Sequence, residues 1–295
     1  MRALGPTFCA AALLLAAPAQ AHGLAAQPGW SLEPWIVAPL LLAATLFAVG
    51  WTRLRARSSG GAPALHRRAI LFATGWLILA SALVSPLHQA GARSFAAHML
   101  EHELLMLAAA PLLVLAEPLA IMLWAFPAAG RRTIGRGVHD LGLAGLFRRA
   151  TEPVTATLIQ AAALWLWHAP SLFDRALVSE GWHVAQHVSF LASALLFWSS
   201  ILTRRPRNPG LAALCLFATS IVSGALGAMM AFSQSPWYRP YALQGMAPFG
   251  LTAMEDQQLA GLLMWIPGGA VHAVAALAAI AMVLKSSPGE ARHGA

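Results

Sequence analysis

The chain has 295 residues, of which 58% are hydrophobic and 10% are charged, and its mean hydropathy is +0.64. Soluble domains carry about 25% charged residues, so too few polar side chains are present to coat a globule of this size. The composition excludes an ordinary cytosolic protein, a disordered chain and a disulfide-rich secreted domain, and it predicts a polytopic membrane protein.

The N-terminus has the pattern of a secretory signal peptide. Arg2 precedes a short apolar stretch, and an A-x-A cleavage site ends at Ala21. We expect residues 1–21 to be removed, unless they remain as a short first helix, and residues 22–295 to form one transmembrane domain. Cleavage at this site would leave His22 at the N-terminus, where its α-amine and imidazole together could chelate Cu(II).

Seven further apolar segments approach the length of about 20 residues that spans a bilayer. They lie at residues 34–51, 67–87, 96–117, 152–168, 183–203, 210–232 and 258–284. Pro111, inside the third segment, predicts a kink in that helix. The sequence therefore predicts an all-α fold, a bundle of seven transmembrane helices.

The placement of Lys and Arg predicts the orientation of the bundle. Fifteen of the 19 basic residues lie in the loops at 52–68, 127–150 and 203–209 or in the C-terminal tail, whereas the alternate loops hold three. We expect the N-terminus outside and the C-terminus in the cytoplasm. The net charge of +8 is thus a topology signal, and the expected partner is the lipid bilayer, with no nucleic acid.

Five histidines fall at the predicted outer ends of three helices: His98 and His102 on the third, His168 on the fourth, and His183 and His187 on the fifth. Residues four apart share a helix face, with Cβ atoms about 6 Å apart. Two imidazoles so placed can hold copper, zinc, iron or nickel. Since ionisable groups are costly in a membrane, we predict a metal site here; the alternative is a set of interfacial histidines.

Other side chains could assist this site. Glu101 and Met106 lie near the face of the first histidine pair, and Met264 begins the seventh span. Thioethers favour Cu(I), although methionine is also a common gap filler. Asp174 and Asp256, in outer loops, either cap helices or orient the imidazole rings.

His272 lies in the middle of the seventh span and is either a polar packing residue or a ligand of a second site. The two cysteines, Cys9 and Cys215, form no CxxC motif. A zinc ribbon, a thioredoxin-like motif and a CxxCH haem attachment are therefore excluded.

From HMLEHELLMLAAAPLLVLAEPL at residues 98–119 onward, the chain resembles the CtaG-type, or caa-type, cytochrome c oxidase assembly factors. The similarity continues through residues 167–198 and 251–269. The positions that match the family's pattern are His98, His102, Trp167, His168, Pro170, His183, His187, Asp256, Gln257, Gln258 and Met264. This chain departs from the pattern in having the acidic residues Glu101 and Glu103 beside the first pair.

The resemblance implies a bacterial inner-membrane protein that is not an enzyme and that serves the assembly of cytochrome c oxidase. It implies copper as the metal, bound on the periplasmic side, with oxidase subunits and a periplasmic copper donor as partners. Two alternatives from the residues stay open: a bis-His haem protein, and a permease for copper or a small solute. A purely structural scaffold is the fourth possibility.

Overall fold

The computed structural model describes residues 29–57, 61–202, 209–246 and 250–286. The predicted signal peptide at 1–21, His22 and most of the basic loop at 203–209 lie outside the described residues. Within the described ranges every regular element is a helix and no strand occurs, so the all-α prediction is confirmed.

The helices follow one another with short connections. They are α1 Pro34–Arg55, α2 Ala62–Val84, α3 Pro86–Gly91, α4 Phe95–Glu103, α5 Ala110–Ala116, α6 Pro118–Met122, α7 Ala128–Asp140, α8 Leu143–Ala150, α9 Pro153–His168, α10 Pro170–Val178, α11 Glu180–Leu202, α12 Pro209–Ala231, α13 Arg239–Gln244 and α14 Ala253–Ser286. A π-helical turn, Leu104–Ala109, joins α4 to α5.

Six helices in the described ranges are long and apolar enough to cross a membrane: α1, α2, the continuous stretch Phe95–Ala116, α11, α12 and the portion Ala253–Ala281 of α14. The fourth predicted span is the helix α9, which has 16 residues and is shorter than the others. It ends at His168 because Pro170 disfavours helical geometry in Ala169, whose backbone is extended. The total of seven spans and the orientation therefore stay predictions.

Where Pro111 predicts a kink, the third span has the π-helical turn Leu104–Ala109 directly before the proline-containing turn. In a π-helix the carbonyl of Met106 would accept from the backbone nitrogen of Pro111, which carries no hydrogen. The indole Nε1 of Trp198, on α11, donates to this carbonyl instead, at 2.8 Å. A side chain of a neighbouring helix thus satisfies the backbone group that the proline leaves free.

The main hydrophobic core lies between α4, α11, α12 and α14, with Phe95, Phe190 and Leu216 among its fully buried side chains. α12 and α14 approach each other closely at two glycines. A Cβ added to Gly227 would lie 2.7 Å from the carbonyl oxygen of Gly261. The absence of side chains at this crossing lets α14 pack against both α12 and α4.

Candidate metal centre

Six polar side chains from three helices meet at one end of the bundle. They are His88 from α3, His98, Glu101 and His102 from α4, and His183 and His187 from α11. We call this set the histidine cluster. The spacing of four residues within each helix pair brings both rings to the same face.

Two overlapping groups in the cluster have the spacing of a metal site. The first is His98, His183 and His187, and the second is His88, Glu101 and His187. In each group the ligand atoms all lie within 4.8 Å of one another. Two ligands on opposite sides of an ion are about 4.2 Å apart when each bond is about 2.1 Å, so small side-chain rotations suffice to close either group on one ion.

The exposure of the histidine side chains decreases from one side of the cluster to the other. His88 and His183 are partly exposed and their rings stack, with centroids 5.2 Å apart. His98 and His102 are each 1% exposed, and their ring centroids lie 4.4 Å apart. His187 contacts both pairs, at 4.3 Å from His183 and 5.0 Å from His102. The rings thus form a continuous series from the surface to the interior.

The arrangement around His187 fits a bound cation. Its Nδ1 donates to the carbonyl oxygen of His183 at 3.2 Å, so in the neutral ring the lone pair is at Nε2. That nitrogen lies 3.3 Å from Oε1 of Glu101, another electron-rich atom. A proton or a metal ion between them removes the repulsion, and metal-binding histidines commonly donate their other N–H to a backbone carbonyl.

Several buried ligand atoms in the cluster have no hydrogen-bond partner among the described residues. They include both ring nitrogens of His102, Nε2 of His183 and Oε2 of Glu101. Buried polar atoms in folded proteins almost always have a partner. Their concentration at one place fits a site at which a metal ion would be the partner of these atoms.

His88 belongs to the cluster, although its position in the sequence predicts only a residue of a loop. Pro86 starts α3, and the hydroxyl oxygen of Ser85 accepts from the backbone N–H of Leu87 at 3.3 Å. The helix brings Nδ1 of His88 to 2.7 Å from Oε1 of Glu101. Burial lowers the pKa of His88, but the hydrogen bond to Glu101 and the negative charges of Glu101 and Glu33 together outweigh burial, and the net pKa is raised.

Glu101 is therefore more central than the sequence indicates. Its side chain is fully buried, and a single oxygen contacts both His88 and His187. Sequence reasoning places it only beside the histidine face. The signal for this role is an acidic residue between the two histidines of HMLEH, since a carboxylate in a membrane helix is costly without a cation.

His168 is not in either metal-binding group. Its Nδ1 donates to the carbonyl oxygen of Leu164 at 2.7 Å, and its Nε2 lies 3.3 Å from the sulfur of Met99. The rings of Phe173 and Phe190 stand beside it. Of the five predicted histidine ligands, His102 and His168 are in neither candidate group. His102 still contacts the rings of His98 and His187, whereas His168 contacts none of the other four in the described part of the chain.

Asp256 positions the helix that carries the first histidine pair. Its carboxylate accepts hydrogen bonds from Ser94 Oγ at 2.7 Å and from the backbone N–H groups of Phe95 and Ala96 at 2.6 and 3.3 Å. A carboxylate at this place also suits the positive end of the helix. Asp256 therefore acts on the cluster through α4, as a cap supplied by α14.

Two buried tyrosines before α14 donate hydrogen bonds near the cluster, and Tyr241 contacts it directly. The hydroxyl of Tyr241 donates to the carbonyl oxygen of Gly91 at 2.5 Å and lies 3.3 Å from Nδ1 of His98. The hydroxyl of Tyr238 donates to the carbonyl oxygen of His168 at 3.0 Å. Burial raises the pKa of both phenols, so both remain protonated donors. No motif in the sequence points to a role for either tyrosine.

Asp174, the remaining predicted auxiliary residue, lies on α10 and is in neither metal-binding group. Burial raises the pKa of its carboxyl, and the backbone of Arg239 opposes this effect. Asp174 thus lies near the start of α13, at Arg239, and not among the candidate metal ligands.

Met106, Met264 and His272 lie together, but at a different place from the histidine cluster. They line a separate cavity of about 30 Å³ with Glu103 and Gln160. We call it the methionine cavity. The structure thus divides the predicted metal-binding residues between two sites.

The chain was compared with protein families, curated proteins and solved structures. The model of the cytochrome c oxidase caa3 assembly factor family matches residues 45–286, which is more than half of the chain. Neither the curated proteins nor the solved structures give a match.

Proposed function

The chain belongs to the cytochrome c oxidase caa3 assembly factor family, and from this premise we propose that it binds copper at the histidine cluster and passes it to the oxidase. The role is non-catalytic, and the metal is cargo. The observation that carries the proposal is the convergence of six ligand side chains from α3, α4 and α11, several with unpaired buried atoms.

The ligand set supports copper by its chemistry. Imidazole suits Cu, Zn, Fe and Ni, and geometry and availability select among them. An oxidase of this class contains copper among its metals, as the resemblance to the assembly family implies. Of the metals that suit imidazole, copper is therefore the one that the family context favours.

The grading of the cluster supports transfer better than permanent storage. His88 and His183 are partly exposed and can take up an ion from a donor. His98 and His187 lie next to them and can share the ion in overlapping three-ligand groups. An ion that can exchange between neighbouring ligand sets leaves more readily than one in a closed four-ligand site.

We further propose that α9 also crosses the membrane, as the fourth of seven spans, and that the cluster faces the periplasm of a bacterial inner membrane. The basic residues alternate between loops as seven spans require. α9 has 16 residues, about 24 Å at 1.5 Å per residue, and packs against α11 and α12 within the bundle. Oxidase subunits and a periplasmic copper donor would then meet the protein at this face.

A porphyrin fits the same residues less well than a single ion. The rings of His98, His102, His183 and His187 pack against one another, with centroids from 4.3 to 6.0 Å apart. A haem between any two of them would have to displace the others. The absorbance spectrum tests this directly, because a Soret band in the purified protein would favour haem.

The proposal is tested by copper titration of the purified full chain in detergent. We expect the triple variant H98A/H183A/H187A to lose binding at the cluster. The matched control is H66A/H139A, since both of these side chains are exposed and lie outside the cluster. Equal copper binding by the two variants would overturn the proposal. In cells without the wild-type protein, only the control variant should restore caa3-type oxidase activity under copper limitation.

A further inference from the structure

The methionine cavity lies between the third span, α9, α12 and α14. Its volume of about 30 Å³ is enough for a water molecule or a metal ion. Met106 and Met264 are 4% and 2% exposed, and His272 is 5% exposed. The π-helical turn that contains Met106 is an element often found at functional sites.

Three buried polar atoms at this cavity have no hydrogen-bond partner among the described residues: Oε2 of Glu103, Oε1 of Gln160 and Nδ1 of His272. Gln160 is 9% exposed. A carboxylate in an apolar interior requires a proton or a cation to neutralise it. The cavity therefore has a carboxyl group, that of Glu103, which a proton or a cation must neutralise, and space beside this group.

The other groups at the cavity select the kind of cation. Two thioethers and one imidazole are soft or borderline ligands and favour Cu(I). The amide nitrogen of Gln160 donates to the sulfur of Met106 at 3.5 Å, which holds that thioether at the cavity. Neutral Met, His and Gln contribute no charge, so one carboxylate balances a monovalent ion and leaves a divalent ion with an excess positive charge.

We propose that the methionine cavity is a second metal site, selective for Cu(I), with Met106, Met264, His272 and Glu103 as its ligands. Met106 follows His102 by four residues, about 6 Å along the helix axis. An ion at the inner edge of the histidine cluster would thus be one short step from the methionine cavity. The second site is argued from its own residues and does not depend on delivery of copper to the oxidase.

The test measures Cu(I) stoichiometry in the purified full chain by competition with a chromophoric Cu(I) chelator. We expect two Cu(I) per chain for the wild type and one for M106L/M264L. The matched control is Met230→Leu, a fully buried methionine of α12 outside both sites, which should retain two. The variant H98A/H183A/H187A should retain one. Zn(II), a divalent probe, should bind in one equivalent at most to the wild type.

X-ray absorption at the copper edge gives a second measurement that needs no methionine variant to fold. Wild-type protein with two Cu(I) should show sulfur as well as nitrogen ligands. The variant Cys215→Ala should give the same spectrum, which assigns the sulfur to thioethers. Only nitrogen and oxygen ligands in the wild type would overturn the second site and leave copper at the histidine cluster intact. If the E103Q variant binds Cu(I) at the cavity as the wild type does, the charge argument is wrong and the carboxyl of Glu103 is protonated.

Discussion

Nδ1 of His88 and Oε1 of Glu101 lie 2.7 Å apart, although one belongs to the short helix α3 and the other is fully buried in a membrane-spanning helix. This contact ties the partly exposed edge of the histidine cluster to its interior. The same oxygen is 3.3 Å from Nε2 of His187, so Glu101 joins three helices at a single atom.

His88→Ala should weaken copper binding at the histidine cluster by about 10- to 100-fold, the range found when a residue that supports a metal ligand is removed. The reason is that Glu101 loses its shortest contact and the second three-ligand group loses a member. Isothermal titration with copper measures the change. His66→Ala is the control because this side chain is exposed. Unchanged affinity in His88→Ala would exclude His88 from the site.

Tyr241→Phe should also weaken copper binding, by less than the His88 substitution. The lost hydroxyl contacts Gly91 and His98, and a buried hydrogen bond of this kind contributes about 1 kcal/mol. Tyr238→Phe removes a comparable buried hydroxyl whose partner is His168. We expect this control to lower thermal stability with little effect on copper affinity. Similar affinities for the two variants would contradict the positioning role of Tyr241.

The two pairs of histidines show what the sequence could predict. A spacing of four residues on helices, with apolar flanks, suffices to predict that His98 and His102 share a face, as do His183 and His187. The contact of the two pairs with each other depends on the packing of α4 against α11, which no local pattern encodes. His88 was missed for the same reason, since a short loop helix reveals nothing of its position above α4.

The fourth predicted span shows what hydropathy could locate and what it could not decide. The apolar segment predicted at residues 152–168 is the helix α9, Pro153–His168, but at 16 residues it is shorter than the six helices that have the length of a membrane span. The grouping of the predicted metal-binding residues at two places also could not be predicted from the sequence. Met264 and His272 are eight residues apart on α14, and only the packing of four helices shows that they share a cavity with Met106.

Asp256→Ala should lower the free energy of unfolding by about 2–3 kcal/mol, because a buried carboxylate loses three hydrogen bonds to the start of α4. Thermal unfolding in detergent measures this loss. The neighbouring Glu255→Ala is the control, since this exposed carboxylate contacts only Thr252 in the described hydrogen bonds and should have a smaller effect. We also expect weaker copper binding in Asp256→Ala alone. Equal stability of the two variants would show that the cap does not hold α4.

Gly227→Ala should destabilise the protein by about 1–3 kcal/mol, the usual range for overpacking. The new methyl group would lie 2.7 Å from the carbonyl oxygen of Gly261 and 3.1 Å from Cβ of Trp265, so α12 and α14 would have to separate. Thermal unfolding again measures the effect.

Gly135→Ala is the control for this substitution. Gly135 lies in α7, and an added Cβ would meet nothing within 4 Å. Since alanine favours helix over glycine by up to about 1 kcal/mol, this variant should be neutral or slightly more stable. A Gly227→Ala protein as stable as Gly135→Ala would mean that the helix crossing tolerates a methyl group.

The helix α14 contains a proline, Pro267, in its interior. Asp256 fixes one end of α14 to α4, and Pro267, between Met264 and His272, has no N–H to donate to the carbonyl oxygen of Leu263. Asp256 thus holds the start of α14, and Pro267 is the place between two residues of the methionine cavity where the helix lacks a backbone hydrogen bond. Bending at Pro267 would change the separation of Met264 from His272, whereas the contact of Asp256 with α4 lies outside the bent region and would be kept. The inner cavity could then change its width independently of the cluster above it.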